Sequence, residues 1–173
     1  MSNVFWITGL SAAGKTTLAE LLTARLRSRG RTVVMLDGDE LRKALGTTGD
    51  HSSNTRLVLA YQYAGLARLI ASQGVTVVVS TIAMFKEIHQ WNRENQPGYF
   101  EVYLRVPLNE LRRRDPKGIY ARYFAGELDN VAGLDISVDE PFNSDMIINY
   151  DQKNGPNVVL ENLLTVFEKK YQI

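Results

Sequence analysis

Eight consecutive residues near the start of the sequence have the types and spacing that bind phosphate. They read Gly9-Leu10-Ser11-Ala12-Ala13-Gly14-Lys15-Thr16 and match the pattern G-x-x-x-x-G-K-[ST]. Glycines let the backbone wrap a phosphate group, Lys15 can reach the outer phosphates, and the Thr16 hydroxyl can bind Mg²⁺. The sequence therefore predicts a site for a nucleoside triphosphate with Mg²⁺. The predicted contacts from this segment are Gly9, Ser11, Ala12, Ala13, Gly14, Lys15, Thr16 and Thr17.

A second polar cluster directly follows the apolar run Val33 to Leu36. It reads Asp37-Gly38-Asp39-Glu40-Leu41-Arg42. Phosphoryl transfer uses carboxylates that hold Mg²⁺ or take a proton from an attacking hydroxyl, and an arginine can bind an anionic acceptor through two parallel hydrogen bonds. We predict Thr16 and Asp37 as metal ligands, and either Asp37 or Asp39 as the carboxylate that takes the proton. Capping of a following helix remains an alternative for both aspartates.

Apolar runs recur along the chain with helical segments between most of them, which predicts an α/β fold. The runs are Val4 to Ile7, Val33 to Leu36, Val75 to Val79, Tyr99 to Val106 and Met146 to Ile148. Helices are predicted over residues 15–29, 53–73, 108–114 and 158–171. This alternation indicates a three-layer P-loop NTPase or kinase fold with a five-stranded, mainly parallel sheet. The second strand is expected beside the phosphate-binding loop. Residues 46–53 and 115–145 lack apolar periodicity, and we expect them to be segments that cover a substrate.

Composition narrows the classes of function. The 173 residues suit one domain, and 20 basic against 19 acidic residues give a net charge of +1, which argues against a duplex nucleic-acid binder. Without cysteine, thiol catalysis is excluded, and two histidines, His51 and His89, cannot build a zinc site. No stretch is long and apolar enough to span a membrane, and we expect a cytoplasmic protein.

The downstream sequence resembles the adenylylsulfate (APS) kinases. The resemblance rests on Trp6-Ile7-Thr8 running into the phosphate-binding loop, on Asp37-Gly38-Asp39, and on the segment Arg114-Asp115-Pro116-Lys117-Gly118-Ile119-Tyr120 followed by Ala125-Gly126-Glu127-Leu128. It implies a kinase that uses MgATP to phosphorylate the ribose 3′-hydroxyl of a nucleotide-like acceptor. It also implies a lid over about residues 115–130, an acceptor-binding segment over about residues 38–56, and a homodimer, since family members are often dimers.

The resemblance assigns further roles position by position. Asp39 is similar to the family's catalytic carboxylate, and Lys117 to a lid cation that reaches the transferring phosphate. Lys15 is also predicted to be a catalytic residue. Arg114 resembles an arginine that packs near the ATP adenine. The predicted acceptor-binding residues are Arg42, His51, Asn54 and Lys117.

The acceptor side departs from the family pattern. The family's Leu-Gly-Phe-Ser segment corresponds to Leu45-Gly46-Thr47-Thr48. From Leu45 to Asn54 this chain is about five residues shorter than the family pattern, and His51 stands where the family has arginine. Val131 replaces a second aromatic residue, and Ile82-Ala83 replaces an Ile-Ser pair. A base stacked on an aromatic side chain contributes roughly 1 to 3 kcal/mol, so an acceptor other than adenylylsulfate is expected.

Three functions therefore stay open. The favoured one is a kinase for an anionic nucleotide-like acceptor other than adenylylsulfate, for example a cytidine diphosphate derivative in a polysaccharide-modification pathway. The second is a genuine adenylylsulfate kinase, in which a protonated His51 meets the acceptor's anionic group or other rings supply the stacking. The candidate rings are Tyr61, Tyr63, Phe85 and Phe124. The third is a regulatory nucleotide-binding module without catalysis.

Overall fold

The apolar runs form a parallel sheet at the centre of the fold. A computed structural model describes residues 2–47 and 49–172, so Thr48 of the predicted acceptor segment and both chain ends lie outside the described residues. The strands are β1 Val4–Thr8, β2 Val33–Asp37, β3 Thr76–Ser80, β4 Tyr99–Arg105 and β5 Met146–Asn149. All five predicted strands are present, with similar bounds.

The strands lie in the order β2-β3-β1-β4-β5, and every pairing is parallel. In the sheet β3 separates β2 from β1, but the carboxyl end of β2 lies beside the phosphate-binding loop as expected, since Asp37 Oδ2 accepts a hydrogen bond from the Thr16 hydroxyl. Burial follows this order. All five residues of β3, which pairs with a strand on each side, are buried, whereas β2 at the sheet edge is only partly buried.

Seven helices connect and cover the strands within the described ranges. They are α1 Lys15–Ser28, α2 Gly38–Ala44, α3 Ser53–Ser72, α4 Lys86–Asn95, α5 Leu108–Arg114, α6 Ile119–Phe124 and α7 Pro156–Tyr171. The four predicted helices are present, and α2, α4 and α6 were not individually predicted. Helix α6 lies within residues 115–145, the segment predicted from its lack of apolar periodicity to cover a substrate. With only six residues, it is too short to show an apolar period.

Alternating side chains of β1 build a separate core on each face of the sheet. Phe5 and Ile7 pack with residues of α1 and α7, whereas Val4 and Trp6 pack with residues of α3. The period-two alternation of a strand sends neighbouring residues to opposite faces, which gives the predicted three layers. No helix in the described part of the chain has both the length and the apolar character that crossing a bilayer requires.

Replacing Phe167 with alanine tests the α7 face of the core. Phe167 is 2% exposed, and its ring centroid lies 4.5 Å from that of Phe5 and 5.4 Å from that of Phe100. Because the cavity would sit among packed rings, we expect the free energy of unfolding to fall by about 3 to 5 kcal/mol in urea denaturation. The neighbouring change Val166→Ala, at a side chain 37% exposed, is the matched control. Similar losses in both variants would contradict this packing.

Candidate active site

The carboxyl ends of β1, β2 and β3 open into one cavity of about 1280 Å³. Ligands of open α/β folds bind at this edge of the sheet. Most of the predicted site residues line the cavity. They are Ser11, Ala12, Gly14, Lys15, Thr16, Thr17, Asp37, Asp39, Arg42, His51, Arg114 and Lys117.

Three predicted site residues do not line this cavity. Gly9 lies beneath the phosphate-binding loop with φ +148°, and a Cβ there would be 2.8 Å from the Leu104 carbonyl oxygen, so a side chain does not fit. Ala13 is buried in the core below the loop. Asn54 is exposed in the first turn of α3. Gly9 and Ala13 therefore shape the loop from below, and an acceptor contact by Asn54 stays a prediction.

The Lys15 side chain points along the inside of the phosphate-binding loop. Its Nζ donates a hydrogen bond to the Leu10 carbonyl oxygen at 2.8 Å. Burial lowers the pKa of Lys15 to about 8, with a further lowering from the charge of Lys117, while Asp39 and Asp37 oppose the shift. A partly desolvated ammonium is stabilised by a nearby anion. The loop can therefore hold a phosphate group close to Lys15.

Asp37 caps α2 and also contacts Thr16, the other predicted metal ligand. Its Oδ1 accepts a hydrogen bond from the Asp39 backbone N–H at 3.0 Å, which caps α2. Its Oδ2 accepts one from the Thr16 hydroxyl at 2.8 Å, and Ser80 Oγ lies 3.4 Å from the same hydroxyl. These are hard oxygen groups of the kind that Mg²⁺ prefers. Capping and metal binding are thus compatible at Asp37.

An ion pair between Asp39 and Lys117 crosses the cavity mouth. Lys117 Nζ donates to Asp39 Oδ2, although the two residues are far apart in the chain. Burial alone would raise the pKa of Asp39, but the hydrogen bond and charge of Lys117 outweigh it, and the pKa lies below its usual value. Behind Lys117, the Tyr120 hydroxyl donates to the Ser11 carbonyl oxygen at 3.0 Å. The predicted lid therefore contacts both the phosphate-binding loop and Asp39.

Arg42 holds the backbone of the predicted acceptor segment. Its Nη1 donates to the carbonyl oxygens of Thr47 at 3.1 Å and Asp50 at 2.7 Å. Burial lowers the pKa of the neighbouring His51, and the positive charges of Arg42 and Arg56 lower it further. A neutral imidazole is then favoured near neutral pH, which argues against the idea that a protonated His51 binds the acceptor anion.

Arg56 lines the same cavity, and sequence reasoning missed it. Its Nε donates to the His51 carbonyl oxygen and its Nη2 to the Asn130 carbonyl oxygen, both at 2.8 Å. It therefore joins the acceptor segment to the chain that returns from the lid. One signal was available in the sequence. A helix N-terminus favours acidic residues, so an arginine within the first turns of α3 is unusual.

Arg114 lies at the opposite end of the cavity. Its Nε donates to Glu110 Oε1 at 2.7 Å, and its guanidinium lies 4.7 Å from the ring centroid of Tyr150. Hydrogen bonds from Arg113 and then Arg114 lower the pKa of Glu110 to about 2. The anchored guanidinium presents a flat cation next to the phosphate-binding loop. A purine ring can pack on such a surface.

The rings considered as substitutes for the missing stacking residues are mostly elsewhere. Only Tyr63 of the four lines the described cavity, and its hydroxyl donates to the Gly38 carbonyl oxygen at 3.3 Å. Tyr61 packs edge-on against Trp91, and Phe124 is 51% exposed beneath Arg112. Val131 forms part of the cavity wall instead of an aromatic residue. Among the described residues, Tyr63 is therefore the one of the four candidate rings in the cavity wall, and Val131 contributes an aliphatic side chain.

Comparisons with known proteins show which family this chain resembles. The chain matches the family described as adenylylsulphate kinase over residues 1–149. It is 38% identical over 152 residues to the cytidine diphosphoramidate kinase of Campylobacter jejuni, covering 88% of each protein. It is 36% identical over 154 residues to the probable adenylyl-sulfate kinase of Archaeoglobus fulgidus, covering 89% of this chain and 99% of that one.

A solved structure shows the same fold. The Mycobacterium tuberculosis APS kinase CysC, determined in complex with AMPPNP and APS, superposes with a TM-score of 0.89 at 30% sequence identity. The match covers 96% of this chain and 98% of that chain. The P-loop kinase fold and the phosphotransferase activity expected from the sequence are thus confirmed. The chain belongs to the adenylylsulphate kinase family.

Proposed function

We propose that this kinase transfers the γ-phosphoryl group of MgATP to the ribose 3′-hydroxyl of a cytidine diphosphate derivative. The single observation that carries the acceptor class is the wall at Val131, where an aliphatic side chain lines the cavity in place of the family's aromatic residue. The name of the Campylobacter relative, a cytidine diphosphoramidate kinase, supports the same class. A homodimer, expected from the resemblance, stays a prediction.

Two arginines make the acceptor half suitable for an anion. Arg42 and Arg56 donate to backbone carbonyl oxygens, and no carboxylate forms an ion pair with either within the described residues. Burial lowers the pKa of Arg56, and the positive charge of Arg42 lowers it further. A diphosphate group would neutralise both guanidinium groups. The base would then lie towards Tyr63 and Val131, where a small pyrimidine needs less stacking area than a purine.

A genuine adenylylsulfate kinase is the second candidate. The Archaeoglobus relative carries the name of a probable adenylyl-sulfate kinase, and the Mycobacterium enzyme was solved with APS. Tyr63 is the ring of this chain that could contact an adenine in the acceptor half.

The nucleotide half fits ATP and Mg²⁺. The phosphate-binding loop and Lys15 would hold the phosphates, Thr16 and Asp37 would hold Mg²⁺, and Arg114 would pack on the adenine. Bound Mg²⁺ would neutralise the charge that develops on the β- and γ-phosphate oxygens. In this proposal the predicted lid, about residues 115–130, closes over the phosphates and excludes water.

Transfer then requires Lys117 to exchange partners. Lys117 would leave Asp39 for the γ-phosphate, and the freed Asp39 carboxylate would accept the proton of the attacking hydroxyl. The hydroxyl oxygen forms a bond to the γ-phosphorus while the bond to the β–γ bridging oxygen breaks. ADP leaves with the electron pair, and the proton stays on Asp39 until solvent removes it.

Replacing Asp39 with asparagine tests the proton acceptor. Because an amide cannot take the proton, we expect kcat to fall by about 100-fold or more, while the dissociation constant for MgATP changes little. Acceptor-dependent ADP release and equilibrium ATP binding measure the two effects. Glu94→Gln, on the exposed face of α4, is the control for removing one negative charge. Unchanged turnover in Asp39→Asn would remove Asp39 from catalysis.

An acceptor screen tests the proposed substrate class. The panel contains adenylylsulfate and diphosphate derivatives of cytidine, uridine and guanosine, each with MgATP, and the readout is kcat/KM. We expect the cytidine derivative to be preferred over adenylylsulfate. In Val131→Phe, a restored ring should improve adenylylsulfate relative to the cytidine derivative by about tenfold, the effect of one stacked base. A preference of the wild-type protein for adenylylsulfate would contradict the proposal and favour a genuine adenylylsulfate kinase.

A further inference from the structure

We propose that His89 is a positioning residue for the acceptor, acting through Asp139 on the cavity wall formed by Thr81, Ile82 and Ala83. His89 lies on α4, is 5% exposed, and does not line the cavity itself. The inference rests on the proposed function in one respect, the assignment of this wall to the acceptor half of the cavity.

The wall lies next to the predicted catalytic carboxylate. A methyl group placed on Gly38 would lie 3.1 Å from Thr81 Oγ1, so Thr81 packs against the residue before Asp39. Ala83 has φ +32°, an unfavourable conformation for a residue with a side chain. Such a residue keeps its conformation only where its surroundings hold it. The contacts on both sides of Ala83 therefore decide the shape of the wall.

The side of the wall before Ala83 is fixed by β1. The Thr81 N–H donates to the Ile7 carbonyl oxygen at 3.1 Å, and the Thr8 hydroxyl donates to the Ile82 carbonyl oxygen. Both partners belong to a fully buried strand. This side of the wall has no freedom to move independently of the sheet.

The side after Ala83 is held by a residue distant in sequence. The Asp139 N–H donates to the Met84 carbonyl oxygen at 2.9 Å, and Asp139 Oδ2 accepts from the Lys86 N–H at 2.9 Å. Asp139 lies in an irregular segment between the lid and β5. It can fix the wall only if it is itself fixed.

His89 supplies that constraint. Its Nε2 lies 3.2 Å from the Asp139 carbonyl oxygen, and its Nδ1 lies 2.8 Å from Glu101 Oε1. A carbonyl oxygen only accepts, so Nε2 carries a hydrogen. Glu101 also accepts from the Tyr99 hydroxyl at 2.8 Å and from Arg93 Nη2 at 3.1 Å. Through its two ring nitrogens, His89 therefore ties Asp139 to the buried Glu101.

Two substitutions of His89 separate positioning from general packing. The amide nitrogen of glutamine reaches about as far as Nε2 and can still donate to Asp139, whereas that of asparagine reaches only about as far as Nδ1. We expect His89→Asn to raise the acceptor KM by about tenfold, with kcat and the ATP KM within about twofold of wild type. His89→Gln should keep the wild-type acceptor KM.

Amide hydrogen exchange gives a readout that does not depend on the acceptor. Exchange at residues 82–86 should be faster in His89→Asn and unchanged in His89→Gln. The KM is measured with whichever acceptor the screen shows to be turned over. A preference for adenylylsulfate would then defeat the proposed substrate class without touching this inference.

Equal changes in the two His89 variants, or no change in either, would overturn the positioning role. So would an ATP KM that rises as much as the acceptor KM. If neither His89 variant folds, variants of the exposed Asp139 side chain test the same contact to the wall. Asp139→Ala, which removes the contact to Lys86, should raise the acceptor KM, and Asp139→Asn, which keeps an oxygen acceptor, should not. An unchanged KM in Asp139→Ala would also reject the inference.

Discussion

The unfavourable desolvation of the charged Lys15 side chain is the constraint on which the rest of the cleft depends. Its ammonium has a carbonyl oxygen as its hydrogen-bond partner, and it feels the repulsion of Lys117 more strongly than the attraction of Asp39 or Asp37. Such a group is unfavourable until an anion arrives. The backbone around it is closely packed: β1 is buried throughout, and a Cβ at Gly9 would lie 2.8 Å from the Leu104 carbonyl oxygen.

The same electrostatics link the two halves of the cavity. Lys117 holds Asp39 from the lid, while Arg42 and Arg56 organise the acceptor segment through backbone carbonyl oxygens. In the proposed reaction these cations surround the path between donor phosphate and acceptor hydroxyl, and the carboxylate of Asp39 lies among them. An arrangement of this kind stabilises the charge of phosphoryl transfer and leaves one group to take the proton.

Local sequence signals predicted much of this structure and missed what long-range contacts decide. The phosphate-binding loop and the five strands have short, strong patterns, and they are where the sequence placed them. The place of β2 at the sheet edge was not predictable from β2 alone, because it depends on the pairing of β3 with both β1 and β2. Arg56 was not predicted because its role depends on its hydrogen bonds to His51 and Asn130, and Asn130 is 74 positions away in the chain.

The charge state of Lys15 is the most direct test of this account. Calorimetry of MgATP binding in two buffers with different ionisation enthalpies measures proton uptake. Before nucleotide binds, the pKa of Lys15 in the protein is about 8, and bound phosphates would raise this pKa. MgATP binding at about pH 8.5 should therefore take up a substantial fraction of a proton, and binding at about pH 7 should take up far less. Affinity should weaken in parallel as the pH rises. Binding at about pH 8.5 with no proton uptake and undiminished affinity would contradict the account.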